Sequence, residues 1–169
     1  RLAITDGLTG IFNHRQIMQL CEHEFERARR FHHQLAIIMI DIDHFKIVND
    51  DFGHLVGDQV LKSLALLFQD HLRYVDLLGR YGGEEFIVLL PETNFEHAMA
   101  AAERLRLQVE QAYQHKITPV ALTISLGVAS AETFQNLTLS DLIKLADDAL
   151  YLAKNSGRNR AAGLQPPNG

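Results

Sequence analysis

The chain has 169 residues, 47% of them hydrophobic, which suffices for the core of one globular domain and is too apolar for a disordered segment. A formal net charge of −5 disfavours a nucleic-acid polymer or an anionic membrane as partner, because such affinity comes from clustered Lys and Arg. The lone cysteine, Cys21, excludes an internal disulfide and suits a reducing compartment, and the longest strongly apolar run, starting at Leu35, is far too short to cross a bilayer.

From His14 to His33, Ile17, Leu20, Cys21, Phe25, Ala28 and Phe31 recur at helical spacing, with Asn13 as N-cap and Cys21 on the packed face. Leu35 to Asp41 is apolar on both faces and reads as a central strand. A short polar segment follows, then a helix over about 57–72 that buries Val60, Leu61, Leu64, Leu67 and Phe68. Two strands, 75–80 and 85–90, flank Gly82 and Gly83, and adjacent glycines between apolar runs signal a tight hairpin with positive φ. A helix over about 95–115, a strand over 120–128, a helix over 139–155 and a short strand near 160–163 complete the domain. Residues 164–169 read as a disordered tail. The order implies one α/β domain over 1–163: a helix-covered mixed sheet with a ferredoxin-like βαββαβ core.

Asp41 ends the first central strand, and Glu84 and Glu85 lie at the hairpin turn. If the hairpin pairs beside that strand, three acids gather at one edge of the sheet. Like charges at close range raise one another's pKa, and a cation makes such a cluster tolerable. One or two carboxylates, with water and phosphate oxygens, are the donor set that Mg²⁺ prefers. Gly82 and Gly83 let a large ligand approach the backbone. Lys46, Lys154 and Arg158 are candidate phosphate cations, the last two one helical turn apart.

"TDGLTGIFNHR" (5–15), "DIDHFKIVNDDFGHLVGD" (41–58), "GGEEF" (82–86) and "ADDALYLAKNSGRN" (146–159) together resemble the GGDEF family of diguanylate cyclases, in its order and typical spacing over nearly the whole chain. Glu84 stands where the family name has Asp and keeps the carboxylate. The resemblance implies a fold like the nucleotidyl cyclase and polymerase palm. It also implies condensation of two GTP into cyclic di-GMP with release of two pyrophosphates. Each copy of the domain holds one GTP, so a second copy must face it in a homodimer.

By the same resemblance, Asp41 and Glu84, with the Ile42 carbonyl, hold two Mg²⁺ (or Mn²⁺). Two roles suit Glu85, assistance in deprotonation or a structural part. The amides around His44 and Phe45, with Lys46, Lys154 and Arg158, cradle the β- and γ-phosphates. Gly82 and Gly83 lie near the α-phosphate and ribose. Asn49 and Asp58 read guanine. A carboxylate accepts from N1–H and the N2 amine, donors that adenine lacks, so adenine leaves a buried acid unpaired. His54 either fixes this loop or touches the nucleotide. Asp43 is left out of the metal set, and Asp6 and Thr9 shape the entry loop. Arg73 and Asp76 form an R-x-x-D that ends five residues before the signature, the family's inhibitory product site, with Arg104 completing it.

The alternatives are weaker. Nine histidines include no H-x-x-x-H pair, there is no G-x-x-x-x-G-K-[ST], and the acidic balance disfavours a template-copying polymerase. A silent domain that binds GTP or cyclic di-GMP and signals through contacts is the competitor from another class. Retention of Asp41, Glu84, Glu85, Lys46 and Lys154 favours the enzyme. With no signal-peptide pattern and an abrupt start, the expectation is a cytoplasmic domain that a missing N-terminus could tether to a membrane sensor, and no obvious dimerisation helix is present. An upstream sensory or dimerisation domain would pair it, and the isolated piece would be mostly monomeric and weakly active.

Overall fold

A computed structural model describes residues 2–114 and 120–167. Helix α1 (His14–Phe31) begins where the Asn13 side chain accepts from the Gln16 amide at 2.9 Å. It stops two residues short of the expected end because His32 turns left-handed, φ 56°. Strand β1 (Leu35–Ile42) is buried along its whole length.

The segment read as polar loop is instead helix α2 (Phe45–Phe52), followed directly by α3 (His54–Asp70). Gly53, at φ 88°, is the break between them. Only Phe45 and Val48 of α2 are buried, too short an apolar pattern to register beside the acids around it.

Strands β2 (Leu77–Arg80) and β3 (Glu85–Pro91) form the hairpin, followed by α4 (Phe95–Gln114), β4 (Ile124–Ala131), α5 (Leu139–Asn155) and β5 (Ala161–Leu164). β2 starts later than expected because 73–76 is a turn, closed by the Asp76 amide onto the Arg73 carbonyl at 3.0 Å. β4 likewise starts four residues late. The expected end of the third helix, His115, lies outside the described residues. Leu164, assigned to a disordered tail, is the last residue of β5 and pairs with Ala129.

The strands order as β2-β3-β1-β4-β5. Each neighbouring pair among the first four is antiparallel, and β5 runs parallel to β4. That is the βαββαβ arrangement with one strand added, so the sheet is mixed as expected. Even-numbered β1 residues Ala36, Ile38 and Ile40 pack with α2, α3 and α4. Odd-numbered Ile37 and Met39 pack with α1 and α5. Gly127 lets α5 lie directly on β4, since a Cβ there would overlap the Ala146 carbonyl and the Leu150 amide. This packing carries the C-terminal end of α5 to the tip of β1.

Candidate active site

Pairing places Asp41 opposite Glu85. Beyond the last pair, the Ile42 amide donates to the Glu84 carbonyl at 3.3 Å, tying the tip of β1 to the signature turn. Asp41, Glu84 and Glu85 are thereby gathered at one sheet edge.

The turn differs from the expected one. Neither Gly82 nor Gly83 has a positive φ. The connection is four residues, 81–84. The Tyr81 and Gly82 amides both donate to the Glu85 carbonyl, at 2.8 and 3.2 Å. Arg80 Nη2 donates to the Gly83 carbonyl at 2.7 Å. So wide a turn needs no left-handed residue. The glycines act through space instead. A Cβ on Gly82 would overlap the Glu85 carboxylate, whereas one on Gly83 would meet nothing within 4 Å.

The electrostatics are those of crowded acids. Burial, then repulsion from Asp41 and a hydrogen bond shared with it, push Glu84 up to about 7 against partial relief from Lys154. Burial and the charges of Asp41 and Asp147 raise Glu85. Asp41 is only 4% exposed. Its Oδ2 accepts from the Lys154 ammonium, while its Oδ1 is buried with no hydrogen-bond partner among the described residues. An orphaned carboxylate oxygen beside a second carboxylate is a donor set that fits a hard divalent cation. No three His, Cys, Asp or Glu side chains cluster at metal-binding spacing among the described residues. Two carboxylates and the Ile42 carbonyl remain a sufficient set for Mg²⁺, which keeps several waters and binds substrate oxygens.

Asp43 is occupied by protein donors. The Ser125 and Thr123 hydroxyls donate to it at 2.6 and 2.8 Å, and the Asn159 amide at 3.0 Å. His44 takes φ 55° as the N-cap of α2, so the first-turn amides of Phe45 and Lys46 open beside the end of β1. Lys46 is exposed. Arg158 is not one turn further along the helix from Lys154. The helix ends at Asn155, and Arg158 stands in the following loop at φ 63°, exposed.

Asn49 of α2 and Asp58 of α3 lie on either side of the α2–α3 break at Gly53. The Asn49 carboxamide lies over Gly57, where a Cβ would overlap its Oδ1. His54, exposed, is the first residue of α3.

At the far end of the hairpin, Arg73 Nη2 and Nε donate to Asp76 Oδ1 at 2.7 and 3.1 Å. Arg73 also reaches Thr93 Oγ1 at 2.8 Å and the Pro91 carbonyl at 3.0 Å. Arg104 does not join that pair and donates instead to the His71 carbonyl at 3.3 Å.

Asp6 accepts from the Thr9 amide and hydroxyl at 2.9 and 2.7 Å, as expected of a loop-shaping residue. It also pairs with Arg80 at 3.1 Å, so the entry loop and the signature turn share one guanidinium. Sequence reasoning missed Arg80, whose signal is its place two residues before Gly82. It also missed Asp147, whose charge raises both Glu85 and Tyr81 after burial has done so. Asp147 sits seven residues before Lys154, two helical turns, and therefore on the same face.

An antiparallel βαββαβ sheet, with carboxylates at the tips of its two central strands and a lysine delivered by the packed helix, is the palm-like fold of nucleotidyl cyclases. The chain belongs to the family described as diguanylate cyclase, GGDEF domain, which matches residues 3–160.

It is 43% identical over 159 residues to diguanylate cyclase DgcP of Pseudomonas aeruginosa, covering 94% of this chain and 23% of that protein. It is 41% identical over 165 residues to response regulator PleD of Caulobacter vibrioides, covering 96% and 36%. The chain thus spans about a quarter to a third of these relatives. Among solved structures, the GGDEF domain of DgcB from Caulobacter crescentus, in complex with c-di-GMP, superposes with a TM-score of 0.89 at 30% identity. The match covers 96% of this chain and 94% of that one. The active GGEEF domain of a diguanylate cyclase from Vibrio cholerae gives 0.83 at 38%, covering 89% and 96%. No helix among the described residues is long and apolar enough to cross a membrane.

Proposed function

We propose that residues 1–163, extended by Leu164 at the edge of the sheet, are one catalytic domain that condenses two GTP into cyclic di-GMP across two facing copies. The observation that carries this reading is the juxtaposition of Asp41 and Glu84, with Asp41 Oδ1 buried and unpartnered. Asp41, Glu84 and the Ile42 carbonyl would hold Mg²⁺, or Mn²⁺ in its place. When bound, the metal polarises the α-phosphate and lowers the pKa of the attacking 3'-hydroxyl.

The remaining roles belong to the chain. Lys46, Lys154 and Arg158, with the first amides of α2, take the β- and γ-phosphates. Gly83 leaves space for the ribose and α-phosphate, and Gly82 leaves room for the Glu85 side chain. Asn49 and Asp58 select guanine by its donors, and His54 borders that pocket. Glu85 either accepts the proton of the reacting hydroxyl or serves only to shape the turn. Arg73 and Asp76, with Arg104 on the neighbouring helix, take the product's guanine and provide feedback. In a longer protein, an N-terminal sensory or dimerisation domain brings two copies together.

The test is pyrophosphate release from GTP with Mg²⁺, with the nucleotide product identified by mass. Wild type should release pyrophosphate and form cyclic di-GMP. Glu84→Gln should lose at least about a hundredfold, the scale of one lost electrostatic stabiliser of the transition state. Equal, absent release from both at high protein concentration overturns the enzyme reading.

A further inference from the structure

Asp43 lies beside the metal-binding acid yet faces only protein donors. It is 6% exposed and receives three hydrogen bonds, one of them from the Asn159 amide. Asn159 is also held from the other side. Its Oδ1 accepts from Arg106 Nη1 of α4 at 3.0 Å. Arg106, 13% exposed, is itself clamped by Glu103 at 2.6 Å and by Glu110.

The loop so fastened is unusual. Gly157, Arg158 and Asn159 are consecutive left-handed residues, at φ 117°, 63° and 46°. Glycine accepts this conformation freely and asparagine tolerates it, but arginine does not favour it. Its persistence therefore requires that the surroundings hold it. The Arg158 amide donates to the Ala153 carbonyl at 3.1 Å, and its carbonyl accepts from Arg160 Nε at 3.1 Å. Asp43 and Arg106 fix the next residue. These restraints act on the backbone of Arg158 and on the amide and carboxamide of Asn159, and none of these hydrogen bonds occupies the Arg158 guanidinium.

We infer that Arg106 and Asn159 are positioning residues for Arg158. Anchored on Asp43, they hold its guanidinium ready for the terminal phosphates of a nucleoside triphosphate. This rests on the reading of Arg158 as a phosphate ligand. Backbone freedom of a relaxed loop around Arg158 would otherwise have to be surrendered on binding. Arg106 belongs to a helix that contributes nothing else to the proposed triphosphate site, and its contact with the loop is the hydrogen bond to Asn159.

The experiment is a double-mutant cycle on binding of a non-reacting GTP analogue with Mg²⁺, by calorimetry, with GMP as the phosphate-poor control and thermal melting alongside. The variants are Arg158→Ala, Arg106→Gln, Asn159→Gly and Arg158→Ala with Arg106→Gln. Glycine at 159 accepts the left-handed φ and keeps the amide to Asp43, so it removes only the carboxamide. Arg158→Ala should weaken the triphosphate about tenfold, the worth of one charge-assisted hydrogen bond. Arg106→Gln and Asn159→Gly should each weaken it about three- to tenfold and leave GMP affinity unchanged, and the double variant should bind no more weakly than Arg158→Ala. Additive losses in the double variant, equal losses for GMP and triphosphate, or no loss in either positioning variant overturn the inference. Wild-type affinity in Arg158→Ala would instead overturn the phosphate role on which it rests.

Discussion

Glu84 holds a proton far above the ordinary carboxyl value of 4.5, at about 7, because it is partly buried beside Asp41. The consequence for stability has a definite sign. A group whose pKa is raised in the folded state binds more protons folded than unfolded, so stability falls as the pH climbs between the two values. In metal-free protein this contribution is complete below pH 4.5 and is lost as the pH rises through about 7. Glu85 and Asp147 are displaced in the same direction and add to the slope. The melting temperature in chelator should therefore drop from pH 5 to 8, and Glu84→Gln, which cannot ionise, should flatten that drop. An equal slope in both proteins would refute the assignment. Asp41 and Glu84 were legible from the chain because strand ends and a Gly-Gly turn carry local signals. Asp147 and Arg80 were not, since what they face depends on how α5 and the entry loop dock.

The elements nearest the candidate site are the ones whose outlines the chain concealed. The centres of α1, β1, β3 and α5 followed from periodicity. α2 did not, because two buried residues in eight make no stripe. The glycine pair was read as a tight turn, yet the four-residue connection relieves it of left-handed geometry. Gly57 shows how an element-scale feature separates stability from function. Within α3 an alanine would be the better helix former, by about 1 kcal/mol. Its methyl group would displace the Asn49 carboxamide rather than any backbone. Gly57→Ala should thus melt no lower than wild type while its KM for GTP rises about tenfold, the cost of one guanine hydrogen bond. Melting and steady-state kinetics on the same preparation decide it. A lowered melting temperature with unchanged KM would contradict the placement of Asn49.

At the scale of the molecule, the two ends of the hairpin are separate. Arg80 and the signature turn lie at one end of β2, and Arg73 and Asp76 lie before its start at the other. Four residues of strand separate them by roughly 13 Å. If product binds at Arg73 as proposed, it lies away from the reacting atoms of the same domain, and inhibition through this site should be noncompetitive with GTP. On the proposed reading each domain brings one nucleotide, so two copies must pair to join them. Specific activity should rise with protein concentration until pairing saturates. Arg73→Ala should keep that rise and lose the noncompetitive inhibition. Kinetics across a range of protein and product concentrations test both. Constant specific activity, or inhibition that survives the substitution, would count against this division of the molecule.

The ion pair between Lys154 and Asp41 bears on how the site fills. A tethered ammonium on Oδ2 already offsets the charge of the acid at rest, so on the proposed reading a divalent ion that reaches Oδ1 alone gains less than one arriving with a nucleotide. A nucleotide that brings its own magnesium offers the displaced lysine a new anion in the same movement. On that reading the empty protein would gain little from loose cations, and metal and nucleotide would be admitted as one parcel.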